Sequence, residues 1–199
     1  MSYPVAFEVD HVERRSRLTT FFRLLLAIPH FILLYLFGIL ATIAVFVAWV
    51  VIVITGRYPK GLYDFVAGFV RYFTQVFGYT VLLCDSYPSF GGSEDAGYPV
   101  RMSFAGPLES YSRAKTFFRF ILVIPILIFR YVMGILLEVG AVASWFVILI
   151  TGKMPRGLFD VMVLGSSYTA RSDAYIYLLT ETYPPFQDDH TRAAGVASA

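Results

Sequence analysis

Thr55-Gly56-Arg57-Tyr58-Pro59-Lys60-Gly61-Leu62-Tyr63-Asp64 decides how this chain folds, because it is written twice. It returns 96 positions later as Thr151-Gly152-Lys153-Met154-Pro155-Arg156-Gly157-Leu158-Phe159-Asp160. Threonine, glycine, cation, proline, cation, glycine, an apolar–aromatic pair and aspartate keep their order. Each copy follows a long apolar run and precedes an aromatic-rich one, so it reads as a basic elbow between membrane segments. Its cations would mark the cytoplasmic flank, and its proline and glycines would turn the chain. Its aspartate would then open the next helix.

The rest of the chain is duplicated around the elbow. Ser16-Arg17, Thr20-Phe21-Phe22-Arg23 and Ile28-Pro29 return as Ser112-Arg113, Thr116-Phe117-Phe118-Arg119 and Ile124-Pro125. Gly38, Trp49, Tyr72 and Tyr87-Pro88 match Gly134, Trp145, Tyr168 and Tyr183-Pro184. A repeat found this way fixes the architecture before any element is assigned. It divides the chain into repeat 1 (1–90), a Gly/Ser/acidic linker (91–97), repeat 2 (98–186) and a tail (187–199) whose composition predicts disorder. Tyr3-Pro4-Val5 and Tyr98-Pro99-Val100 open the repeats with short alternating stretches, which predict strand-like arms. These arms either pair into a small sheet or stay extended.

Composition gives the class. Apolar residues make up 57% of the chain and charged residues 15%, with a mean hydropathy of +0.65; a soluble domain carries about a quarter charged residues. The runs Leu24–Thr55 and Phe120–Thr151 both exceed the roughly 20 residues that cross a bilayer. The first 20 residues lack the apolar segment of a cleavable signal peptide. A net charge of +2 is too small to suggest nucleic acid. Cys84 is the only cysteine, which excludes an internal disulfide, and His11, His30 and His190 are too scattered to suggest a metal.

The distribution of charge around the two runs predicts an all-α membrane fold of two helical hairpins, 17–55 and 113–151, with apices near Gly38 and Gly134. The alternative is one long span per repeat. With hairpins, 15 of the 16 basic residues fall on one side, Arg130 being the exception, and Glu138 lies near the far interface instead of deep in the bilayer. Arms of about 16–19 residues are short for a crossing, so re-entrant hairpins remain an alternative. Segments 62–83 and 158–179 follow the elbows as amphipathic helices. Asp64, Gly68, Arg71, Gln75 and Gly78 fall on one stripe at helical spacing. Such a helix either lies in the headgroup plane on its aromatic face or packs its polar stripe inward, and the even number of crossings favours the headgroup plane.

The Ser-Arg-x-x-Thr-Phe-Phe-Arg-x-x-x-x-Ile-Pro stretch, the late Trp, the elbow and the closing Tyr-Pro-x-Phe resemble an uncharacterised bacterial integral-membrane family. That family is common in actinobacteria and is catalogued as a domain of unknown function. Repeat 2 departs from it at Ile126 and Met154. The resemblance implies a membrane class and a tandem layout, and supplies no catalytic residues.

Candidate residues follow from charge and place. Arg14, Arg15, Arg17, Arg57, Lys60, Arg113, Lys115, Lys153 and Arg156 form a juxtamembrane belt that marks topology and attracts anionic lipid. Asp64 and Asp160, in the first turn of the third helix, would complement its dipole and pair with Arg23 and Arg119. His30, Arg130 and Glu138 are the intramembrane polar groups, and a carbonyl freed by Pro29 is the expected partner of His30. No nucleophile–base pair, phosphate loop or paired-carboxylate site is legible, so no enzyme and no cofactor is expected. The sequence thus predicts a multi-pass protein of the inner (plasma) membrane with both termini cytoplasmic. It would act as an accessory or scaffold subunit of an envelope complex, with other subunits or further copies as partners. A two-halved transporter or channel and an anionic-lipid-binding protein are the alternatives.

Overall fold

The computed structural model describes residues 3–92 and 97–185. The expected disordered tail and the centre of the linker lie outside the described residues. The elements in order are β1 (Val5–Val9), α1 (Arg17–Thr55), α2 (Lys60–Thr80), β2 (Val100–Phe104), α3 (Arg113–Phe117), α4 (Arg119–Thr151) and α5 (Arg156–Ile176).

The hairpins expected within 17–55 and 113–151 do not form. α1 is one helix of 39 residues and α4 one of 33, with Pro29 and Pro125 inside them. Gly38 and Gly134 are helical, and neither has a positive φ. The reason lies in the packing stripe. Thr20, Arg23, Ala27, His30, Leu34, Phe37, Ala41, Ala44 and Ala48 alternate in steps of three and four, and all are buried or packed on the core. Such a seam presents one side of a continuous helix to its neighbour, and a turn at Gly38 would break it. Away from the seam the surface is apolar and open, with Leu24 69% and Tyr35 71% exposed. Thr116, Arg119, Val123, Ile126, Leu137, Gly140 and Ser144 continue the same spacing through α3 and α4. Both helices are long and apolar enough to cross a membrane.

The chain turns at the elbows instead. Gly56 and Gly152 cap α1 and α4 in the left-handed conformation, φ 76° and 72°, where a side chain would be strained. Thr55 and Thr151 hydroxyls accept the Arg57 and Lys153 amides at 3.2 and 3.1 Å. Pro59 and Pro155 then start α2 and α5. α2 runs back along α1: Phe65 and Phe69 meet Phe37, and Tyr72 meets His30. α5 repeats this along α4, and here side chains fill the space that two glycines leave. A Cβ on Gly165 would stand 2.8 Å from Leu137, and one on Gly140 2.4 Å from Met162.

α2 and α5 are therefore sandwiched between the long helices and the sheet, with the polar stripe of α2 packed inward. The aromatic face of α2 is covered by α1, while its Arg71–Gly78 stripe meets the sheet. Arg71 donates to the Met102 carbonyl at 3.2 Å, and Gly78 lies against Val100. β1 and β2 do pair, antiparallel, with Phe7 opposite Met102, and they pack on α5 and α2. Three layers result: the long helices, the short helices and the sheet, which turns Glu8 and Ser103 outward.

The long helices run antiparallel. At one end Arg17 donates to the Ile150 carbonyl at 2.9 Å and the Arg15 amide to Gly152 O at 2.9 Å. At the other, the Tyr111 amide donates to Gly56 O at 2.8 Å and the Trp49 indole to Thr116 O at 2.9 Å. The two elbows consequently lie at opposite ends of the molecule.

Candidate functional site

Each repeat buries one arginine against the end of its own short helix. α2 ends in a turn with Leu82 left-handed (φ 68°), where the Leu83 amide bonds Gly78 O and the Leu82 amide bonds Tyr79 O. α5 repeats it at Leu178 (φ 64°). This is the Schellman arrangement with leucine where glycine is usual. It turns the Tyr79 and Cys84 carbonyls toward Arg23, which donates to both at 2.6 Å, ion-pairs with Asp85 and lies over the Tyr79 ring. Arg119 donates to Thr180 O at 2.8 Å and lies 3.8 Å from the Tyr175 ring centre. A cation there opposes the negative end of the helix dipole, so the arginines lock α2 and α5 onto α1 and α4.

The expected Asp64–Arg23 and Asp160–Arg119 pairs are thus replaced. Asp64 and Asp160 are exposed one turn beyond the helix starts, which contain no acid, while the arginines lie at the far ends. Asp85 is the acid that pairs with Arg23, whereas Arg119 meets the Thr180 carbonyl and the Tyr175 ring. Asp85 accepts the Ser16 amide at 2.8 Å and Glu181 the Ser112 amide at 2.7 Å. Their signal was available, because both stand two residues before the repeated Tyr-Pro.

The three intramembrane candidates are not brought together. His30 is fully buried and its Nδ1 meets the Tyr72 hydroxyl at 2.6 Å, not a carbonyl freed by Pro29. Its ring stacks on Phe90 at 4.4 Å. Arg130 ion-pairs with buried Asp173 of α5, a contact absent from the sequence reading. It is part of the α4–α5 interface and does not sit at a hairpin apex. Glu138 is exposed among Ile135, Val139 and Val142 on α4.

The cation belt divides into two clusters. Arg14, Arg17, Lys153 and Arg156 lie at one end, joined by the Arg14–Lys153 backbone bridge and the Glu13–Lys153 pair at 2.9 Å. Arg57, Lys60, Arg113 and Lys115 lie at the other. Arg15 belongs to neither surface, since it is buried and donates to Leu83 O at 2.6 Å. Lys153 holds the Glu13 carboxyl below the usual range. On the sheet, Asp10 raises Arg101. Burial pushes the Cys84 thiol and Tyr98 phenol up, which leaves the thiol protonated and unreactive. Among the described residues no group of three or more His, Cys, Asp or Glu could hold a metal ion.

No curated protein and no solved structure matches the chain. One family model matches both repeats, over residues 17–91 and 113–187, and each match takes in one long helix, its elbow, its short helix and its arginine-capped turn. The chain belongs to the family described as Domain of unknown function (DUF4389), of which it carries two copies.

Proposed function

We propose that the protein is a non-catalytic component of the inner (plasma) membrane, acting as an accessory or scaffold subunit. One observation carries this reading: the molecule has an apolar layer and a polar layer on opposite sides. α1 and α4 expose leucine, isoleucine, phenylalanine and valine along nearly their whole length. A continuous apolar surface of that extent belongs in lipid or against another protein. The sheet layer instead presents Glu8, Asp10 and Arg101, a surface suited to a partner in the aqueous phase. Every buried arginine described above is spent on a carbonyl, a ring or a carboxylate, in keeping with a structural role. The transport reading draws no comparable support, since Tyr72 closes on His30 and Asp173 on Arg130.

Gentle solubilisation followed by native electrophoresis tests the scaffold role. Co-migration with another membrane component, lost when Glu8, Asp10 and Arg101 are replaced together, is the expected result. A chain that always migrates alone overturns it.

A further inference from the structure

We propose that α1 and α4 lie in the plane of one leaflet, with both cation clusters on the same anionic headgroup surface and the sheet in water. The inference rests on the membrane reading above and replaces a multi-pass layout with a one-sided one.

Length is the first argument. α1 extends about 58 Å at 1.5 Å per residue, and its uncharged part from Leu24 to Thr55 about 48 Å. The hydrocarbon core is about 30 Å thick. A single crossing would need a tilt of about 50°, beyond the 0–40° over which spanning helices are found.

The second argument is charge. A crossing would separate the clusters, leaving Arg14, Arg17, Lys153 and Arg156 on one side and Arg57, Lys60, Arg113 and Lys115 on the other. Cytoplasmic flanks are the ones enriched in lysine and arginine, and two equally basic ends give no orientation. Laid flat, both clusters meet one surface, where cations are attracted to anionic lipid.

The polar layer is the third and strongest. A spanning protein has an apolar belt with polar ends, whereas here the polar layer is stacked beside the long helices. The sheet rests on α2 at Arg71, Thr74 and Gly78. The neighbouring Tyr72 meets His30, about 20 Å inside the start of α1. In a crossing, Glu8, Asp10 and the open edges of a two-stranded sheet would stand at hydrocarbon depth, where unpaired backbone and charge are costly. In the plane, the apolar faces of α1 and α4 enter the acyl region and the sheet stays hydrated, as for amphipathic interfacial helices.

The test uses the full chain with Cys84→Ala and a single new cysteine, Arg14→Cys at one end or Lys115→Cys at the other. Both positions are exposed. Sealed right-side-out and inverted membrane vesicles are treated with a membrane-impermeant maleimide, and a separate portion is given an alkaline wash. The expected result is labelling of both positions in inverted vesicles and protection of both in right-side-out ones. Labelling from opposite sides, or of either position in both preparations, overturns the in-plane placement while leaving the membrane reading standing. Release of the protein by the wash, with the apolar faces covered in a soluble dimer, overturns both.

Discussion

The two repeats solve the same packing problem with different side chains. Leu34 and Phe77 in repeat 1 stand where repeat 2 has Arg130 and Asp173, so two apolar positions packed on the core correspond to an ion pair at the α4–α5 interface. Ala41 and Phe69 correspond to Leu137 and Gly165, which moves the bulk from the short helix to the long one. His30, closed by Tyr72 and Phe90, corresponds to Ile126. Yet the Schellman turns, the left-handed leucines and the buried arginines are kept. The backbone arrangement is the shared solution, and interface chemistry is exchangeable if both partners change together.

The ion pair gives the largest way to break that equivalence. Asp173→Leu leaves Arg130 uncompensated and is expected to cost about 3–5 kcal/mol, whereas Arg130→Leu with Asp173→Phe restores the repeat 1 residues and falls near the parent or above it. Urea unfolding in mild detergent measures both. A double variant as weak as the single one would mean that repeat 2 requires the charges.

The retained arginines come next. Arg23→Ala removes two hydrogen bonds to carbonyls and the ion pair with Asp85 at the end of α2, and is expected to cost about 3 kcal/mol. Arg119→Ala loses one carbonyl bond and a ring contact, about 2 kcal/mol. The same unfolding experiment ranks them, and equal losses would mean that Asp85 adds nothing to the site.

Steric exchange is smaller. Gly165→Phe alone places a ring where Leu137 stands and is expected to cost about 1–3 kcal/mol. Adding Leu137→Ala copies repeat 1 and should recover most of it. Thermal midpoints of the two variants decide whether the exchange is local to this contact.

These contrasts also explain what was legible in the sequence. Duplication, the elbows, the arms and the long apolar helices could all be read, because each is a local pattern of composition or repetition. The break expected at Gly38 follows from placing the cations on one side and Glu138 near an interface, whereas the three-four stripe from Thr20 to Ala48 requires an unbroken helix. Asp64 stands out in the sequence by its place beside the elbow. Asp85 is the acid that matters, because α2 folds back and carries the residues after Tyr79 to Arg23. Arg130 was visible as an anomaly, and comparing the repeats at Phe77 and Asp173 would have named its partner. Interfaces between elements distant in sequence leave such paired changes rather than motifs.

The smallest effect separates the two junctions where one repeat meets the other. Both use an amide from the chain before a long helix, Arg15 to Gly152 O and Tyr111 to Gly56 O. Only the first adds an ion pair, Glu13 with Lys153, since the corresponding Glu109 forms none with Arg57. Lys153 holds the Glu13 carboxyl below its ordinary 4.5. A lowered folded-state value means that the stabilisation is present above 4.5 and is lost as pH falls through the folded-state value. Because both side chains are more than half exposed, the effect is small and screened by salt. Thermal midpoints between pH 6 and roughly 3 should therefore fall slightly less steeply for Glu13→Gln than for the parent, and the difference should vanish in about 1 M salt. Glu109→Gln serves as the counterpart at the other junction and should track the parent. If Glu109→Gln flattened the profile as much as Glu13→Gln, the two junctions would be electrostatically alike, and their asymmetry would reduce to the tyrosine cluster of Tyr58, Tyr63 and Tyr111.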